Sequence, residues 1–261
     1  MAITTHWTSP PQDLQYSLES GTVHVWRASL DASPGRVSRY RSYLSQDELA
    51  RADRFRMPHP QYQFIITRGI LRMLLSRYTG VLPAQLHFET QAQGKPFLMT
   101  ASSFPIQFNV AHTREMALIA LTFQHAVGID VEWIDRKIHD RDIAKRYFSP
   151  GESAYLASLA STVRTHQFFW YWTGKEAYLK MQGKGISEGL AQCELTIDPD
   201  QFKVGISHPN KNGQEEDCSL YRITCGSEHV GAIAVACLSA RVSYWNWSEE
   251  NPAKGLGTLH S

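Results

Sequence analysis

The strongest constraint on this chain is a repeated layout. Ser45-Gln46-Asp47-Glu48 and Ser149-Pro150-Gly151-Glu152 are both capping boxes. In such a box a serine accepts a hydrogen bond at a helix start while the glutamate three residues on reaches back to it. A longer segment with helical character follows each box, and the interval from Ser45 to Arg72 equals that from Ser149 to Glu176. Each half reads in the order strand, capped short helix, long helix, three strands. A chain of this kind is expected to fold as α+β, as two similar lobes forming an internal pseudo-dimer, with a site at the seam. The expected divisions are an N-terminal lobe 1–125, a C-terminal lobe 126–240 and a tail 241–261.

In the first half, strands are expected at 23–26, 86–88, 106–110 and 116–123. A short helix follows Ser45 to about Phe55, where Pro58 and Pro60 break it. A long helix fits 61–78, with Phe64, Ile65, Leu71, Leu74 and Leu75 at helical spacing and Gly80 as its stop. Gly94-Lys95-Pro96-Phe97 reads as a turn. The second half opens with a strand at 127–133 and a charged segment at 135–145. A short helix from Pro150 and a long one over 165–181 come next, and the latter stops before Gly183. Strands fit 193–197, 220–224 and 230–238, with a polar loop at 208–217.

The chain is 43% hydrophobic and 20% charged, enough for a sizeable core and against disorder. Its 26 basic and 25 acidic residues leave a net charge of +1. That balance gives no support for bulk binding to nucleic acid or a membrane surface, so any anion site must be local. The four cysteines lie in the last third without a C-x-x-C pair and read as buried thiols in a reducing compartment. No basic start followed by an apolar run opens the chain, and no apolar stretch is long enough to span a bilayer, so a cytoplasmic protein is expected.

The chemistry concentrates between residues 128 and 185. In Gly128-Ile129-Asp130-Val131-Glu132 the two acids face one side of a strand and the two aliphatics the other. Two carboxylates that close repel unless a proton or cation intervenes, and Mg²⁺ prefers oxygen ligands. On these residues alone a solvated strand end is the competing reading. Glu176 lies in an aromatic helix, and Lys180 shares its face at i+4. An ordinary helical ion pair would explain those two. Lys175 and Lys184, however, also cluster beside glycines where the acids would collect a metal, and such a set suits phosphoryl-type transfer. His112 ends the strand Phe108-Asn109-Val110-Ala111, and Arg51, Arg54, Arg56, Arg68 and Arg72 form a basic run.

Taken in order, Gly94-Lys95-Pro96, Phe108-Asn109-Val110-Ala111-His112, Gly128-Ile129-Asp130-Val131-Glu132 and Trp172-Thr173-Gly174-Lys175-Glu176-Ala177-Tyr178-Leu179-Lys180 with Gly183-Lys184-Gly185 resemble the 4′-phosphopantetheinyl transferases. The match is to their large, monomeric, Sfp-like branch, a pseudo-dimer with the site between its lobes. The resemblance implies transfer of the phosphopantetheine arm of coenzyme A to a serine of an apo acyl or peptidyl carrier protein, releasing 3′,5′-ADP. It implies that Asp130, Glu132 and Glu176 hold Mg²⁺ (or Mn²⁺) against the diphosphate, with Glu176 as base and Lys180 on the leaving phosphate. Lys95, His112 and Arg51 would contact coenzyme A, His112 and Arg51 at its 3′-phosphate, with Lys184 a further phosphate contact. The carrier would dock along 134–148, where Arg136, Lys137, Arg141, Lys145 and Arg146 complement an acidic partner. Two residues depart from the family pattern: Ala111 replaces a usual serine, and Glu48 stands where some members carry a basic residue. The alternatives are a Mg²⁺-dependent hydrolase of a nucleotide diphosphate and a non-catalytic carrier-binding module.

Overall fold

The computed structural model describes residues 5–11, 16–91, 93–99, 105–135, 137–184, 190–191, 193–197, 204–207 and 218–249. Arg136, Gly185, the 208–217 loop and the tail beyond 249 lie outside the described residues.

The first lobe opens with β1 (Thr22–Ser29), then α1 (Pro34–Arg41), α2 (Gln46–Ala52) and α3 (Pro58–Thr79). A short hairpin, β2 (His87–Thr90) and β3 (Pro96–Met99), leads into β4 (Ile106–Thr113) and β5 (Met116–Phe123). The second lobe repeats the order: β6 (Val127–Trp133), α4 (Asp140–Tyr147), α5 (Pro150–Ser158), α6 (Ser161–Gln182), the hairpin β7 (Glu194–Ile197) and β8 (Val204–Ser207), then β9 (Ser219–Thr224) and β10 (His229–Val235). Three strands of each main sheet correspond, and the first sheet carries a fourth at its edge. The corresponding orders are β1-β5-β4 in the first and β6-β10-β9 in the second.

Both capping boxes form. Glu48 accepts from the Ser45 amide at 3.0 Å, and Glu152 accepts from the Ser149 amide at 2.9 Å. The boxes also do more than cap. Glu48 is buried and is held by Arg68 and by Arg72, whose Nε lies 2.6 Å away. Burial pushes Glu48 up, but the bond from Arg72 and the charge of Arg68 hold it below the usual carboxylate range. Glu152 is buried against Lys175 Nζ at 2.8 Å. In each lobe the cap glutamate therefore also anchors the short helix to the long one.

Several local expectations change. Pro58 and Pro60 lie inside the first turn of α3 rather than before it. The first-turn N–H groups have no intrahelical partner, so proline is tolerated there. Two helices, α1 and α4, form where none was expected. In α4, Asp140 is buried and accepts from Arg164 at 3.1 Å and from the Thr165 hydroxyl at 2.7 Å. That contact binds the charged segment to the start of α6. The segment from Arg241 supplies β11 (Arg241–Asn246), which pairs parallel to β1 at the edge of the first sheet.

The lobes meet where β4 runs beside β6. Val23, Val25, Ala111, Leu118 and Ala120 of the first lobe share a core with Ile129, Val131, Ile223 and Ile233 of the second. The buried Asn109 Oδ1 accepts from the Ile129 amide at 2.9 Å, so β4 serves an N–H on the edge of β6 through a side chain. This seam positions the site.

Candidate active site at the junction of β6 and α6

Gly128, Asp130 and Glu132 alternate with Ile129 and Val131 along β6. The aliphatic pair enters the seam core. The other face carries the acids and meets α6. Gly128 makes that approach possible, because a Cβ there would lie 2.0 Å from the Ala177 carbonyl oxygen and 2.3 Å from the Met181 amide nitrogen.

The helix presents Trp172, Glu176 and Lys180 at i, i+4 and i+8, one stripe of one face. Lys180 Nζ donates to Asp130 Oδ1 at 2.6 Å. Trp172 and Glu132 line one cavity together. The helix therefore runs antiparallel to β6, with Met181 beside Gly128, Lys180 beside Asp130 and Trp172 beside Glu132. Trp172 was not among the residues expected from sequence, although its place on the Glu176–Lys180 stripe marks it.

The electrostatics are those of crowded acids. Burial, then the charge of Asp130, pushes Glu132 up to about 7, with Lys180 and Trp172 opposing. Burial, then Asp130, pushes Glu176 up to about 7, with Lys180 again opposing. Asp130 is raised by burial against the pull of Lys180. Asp130 Oδ2 and Glu176 Oε1 are buried without a hydrogen-bond partner. Among the described residues no three His, Cys, Asp or Glu groups are already closed around one point. Two orphaned carboxylate oxygens and three mutually repelling acids nonetheless fit an oxygen-seeking divalent cation. A cavity of about 280 Å³ adjoins Glu132, walled by Trp133, Ile138, Phe168 and Trp172.

Comparisons with known proteins identify the family. Residues 126–234 match the family model of the 4′-phosphopantetheinyl transferase superfamily, and residues 28–124 match that of the 4′-phosphopantetheinyl transferase N-terminal region. The chain is 35% identical over 242 residues to the 4′-phosphopantetheinyl transferase HetI of Nostoc sp., covering 92% of this chain and 98% of that protein. The chain belongs to the 4′-phosphopantetheinyl transferases. It is also 42% identical over 153 residues to a putative 4′-phosphopantetheinyl transferase of Synechocystis sp., covering 59% of this chain and 62% of that one. To the transferase Sfp of Bacillus subtilis it is 27% identical over 174 residues, covering 67% and 75%.

The other residues singled out in this transferase are spread over both lobes. His112 is exposed at the end of β4, and Lys184 is exposed just past the end of α6. Arg51 is exposed on α2 with its guanidinium 5.1 Å from the Phe64 ring centroid. Lys95 Nζ turns to main-chain carbonyls of Val127 and Lys180, at 2.9 and 2.8 Å. Lys175 is fully buried, donating to Glu152 and to the carbonyls of Leu190 and Cys193. It is a core lysine, which corrects its reading as a phosphate-facing one.

In the first lobe the position matching Glu176 is Arg72, which is buried on Glu48 and on the carbonyls of Pro83 and Leu86. The pseudo-dimer is thus asymmetric, with an acid, Glu176, on the long helix of one lobe only. Among the described residues no helix is long and apolar enough to cross a membrane.

Proposed function

We propose that this chain transfers the 4′-phosphopantetheine arm of coenzyme A to a serine hydroxyl of an apo acyl or peptidyl carrier protein, releasing 3′,5′-ADP. Membership of the family supports the reaction class. The single observation that carries the site assignment is the junction of β6 and α6, where Asp130, Glu132 and Glu176 crowd beside Lys180.

In this reading Asp130, Glu132 and Glu176 hold Mg²⁺, or Mn²⁺ in its place. When bound, that ion neutralises charge on the diphosphate. Glu176 accepts the proton of the carrier serine. Lys180 places its ammonium where the leaving phosphate gathers negative charge. His112, Arg51 and Lys184 bind phosphate groups of the donor, His112 and Arg51 the 3′-phosphate. The Lys95 turn borders the same region. Lys137, Arg141, Lys145 and Arg146, on and before α4, face an acidic carrier surface; the last three are exposed on that helix. The reading places the protein in the cytoplasm as a monomer, with 1–125 binding the nucleotide end and 126–240 holding the acids.

The test is incubation of apo carriers with coenzyme A and Mg²⁺, followed by mass spectrometry of the carrier. A mass gain of one phosphopantetheine, abolished by Glu176→Ala in a folded protein, is the expected result. No gain on any of several carriers would overturn the proposal. Release of 3′,5′-ADP without a carrier would favour a hydrolase.

A further inference from the structure

Lys95 belongs to the first lobe, yet every hydrogen bond its ammonium makes is to the second. Nζ donates to the Val127 carbonyl at 2.9 Å, the Lys180 carbonyl at 2.8 Å and the Met181 carbonyl at 3.4 Å. Val127 is the first residue of β6, and Lys180 and Met181 are in the last turn of α6. A helix end leaves its final carbonyls without intrahelical donors and carries partial negative charge. A half-buried ammonium there satisfies both demands.

The surrounding chain is shaped for this contact. Gly94, at φ +89°, and the bonds Gly94 N–H to the Gln91 carbonyl (2.8 Å) and Gln91 N–H to the Lys95 carbonyl (2.9 Å) close the turn of the β2–β3 hairpin. The tip of that hairpin reaches the helix end: a Cβ on Gly183 would lie 3.2 Å from Gln91 Oε1. On the other side of the joint, Gly128 presses β6 onto the Ala177 carbonyl and the Met181 amide. The strand and helix are thus in backbone contact at one point, and Lys95 bonds to both partners there.

We propose that Lys95 is a positioning residue: it staples the last turn of α6 to the start of β6 and thereby fixes Glu176 and Lys180 against Asp130 and Glu132. The staple acts across the lobes, so the nucleotide-binding lobe sets the geometry of the acids on the other. This rests on the transferase reading above, in which those four groups do the chemistry. It gives Lys95 a role other than contact with the coenzyme A donor.

The experiment compares Lys95→Met and Lys95→Gln, which lose the charge, with Lys95→Arg, which keeps charge and donors. Wild-type transfer to a carrier is established first; its absence would overturn the functional reading and not this one. In charge-losing variants that retain the wild-type circular dichroism spectrum, kcat falls ~10-fold or more, because small misplacements of reacting groups cost that much. The KM for coenzyme A stays at the wild-type value, Lys95→Arg recovers most of kcat, and hydrogen exchange speeds up at the Gly183 and Lys184 amides. A raised KM for coenzyme A with kcat unchanged would overturn the proposal and make Lys95 a substrate contact. Unchanged exchange at the end of α6 would overturn it as well, and that measurement does not depend on turnover.

Discussion

Gly128→Ala is the perturbation whose consequence the structure defines most closely. The new Cβ would lie 2.0 Å from the Ala177 oxygen and 2.3 Å from the Met181 nitrogen, and ordinary contact begins at 3.4 Å. Both neighbours are backbone atoms of α6, so no side-chain rotamer relieves the clash. The strand and helix must part by about 1.4 Å at this point, a misfit of the kind that costs about 1–3 kcal/mol. For a chain of this length such a loss lowers the melting temperature by roughly 2–6 °C. The larger consequence is chemical. Asp130 is two residues along the strand and Lys180 is next to Met181 on the helix, so the separation opens the 2.6 Å bond between them. Displacing reacting groups by about 1 Å costs on the order of 100-fold in kcat. Differential scanning calorimetry and steady-state transfer kinetics measure the two effects. An alanine variant with wild-type kcat would refute the argument that this contact holds the acids against α6, even if its melting temperature fell.

Other outcomes follow from the same geometry. Lys175→Met leaves Glu152 buried without its cation and is expected to cost about 3–5 kcal/mol, read in denaturant unfolding. Wild-type stability would contradict its place in the core. Asn109→Ala strips the Ile129 amide of its acceptor at the lobe seam and is expected to cost about 1–3 kcal/mol, read the same way. Glu132 and Glu176 are raised to about 7, so the folded protein holds protons there that the unfolded chain releases near the usual carboxylate range. Their raised pKa values therefore favour the folded state at low pH, and that contribution is lost as pH climbs from about 4.5 to about 7. A divalent cation competes with those protons, so the rise in melting temperature on adding Mg²⁺ is expected to be larger at pH ~8 than at pH ~6. An equal rise at both would contradict the assignment of these acids.

Much of this was legible in the sequence because local rules govern it. The capping boxes at Ser45 and Ser149 mark helix starts, and the alternation in 128–132 put Asp130 and Glu132 on one face and Ile129 and Val131 on the other. The i, i+4 spacing put Lys180 beside Glu176. What escaped depends on contacts distant in the chain. Lys175 and Lys180 are both lysines beside acids in a glycine-flanked helix; only the burial of one against Glu152 and the reach of the other to Asp130 separate them. Lys95 reads as a lysine in a turn, placed by the resemblance on coenzyme A; its bonds to Val127 and Lys180 are contacts that only the fold brings together. Helix α4 is short and charged, with little signal of its own, and depends on Arg164 and Thr165 meeting Asp140. The segment from Arg241 carries no motif, since its partner strand β1 lies at the other end of the chain.

The central claim is that Asp130, Glu132 and Glu176 together form one divalent-cation site beside Lys180. Electron paramagnetic resonance of Mn²⁺ in the presence of coenzyme A tests it directly by counting bound ions. The account predicts a single ion on the wild-type protein and its loss from folded Glu176→Gln. Undiminished binding by Glu176→Gln would contradict it.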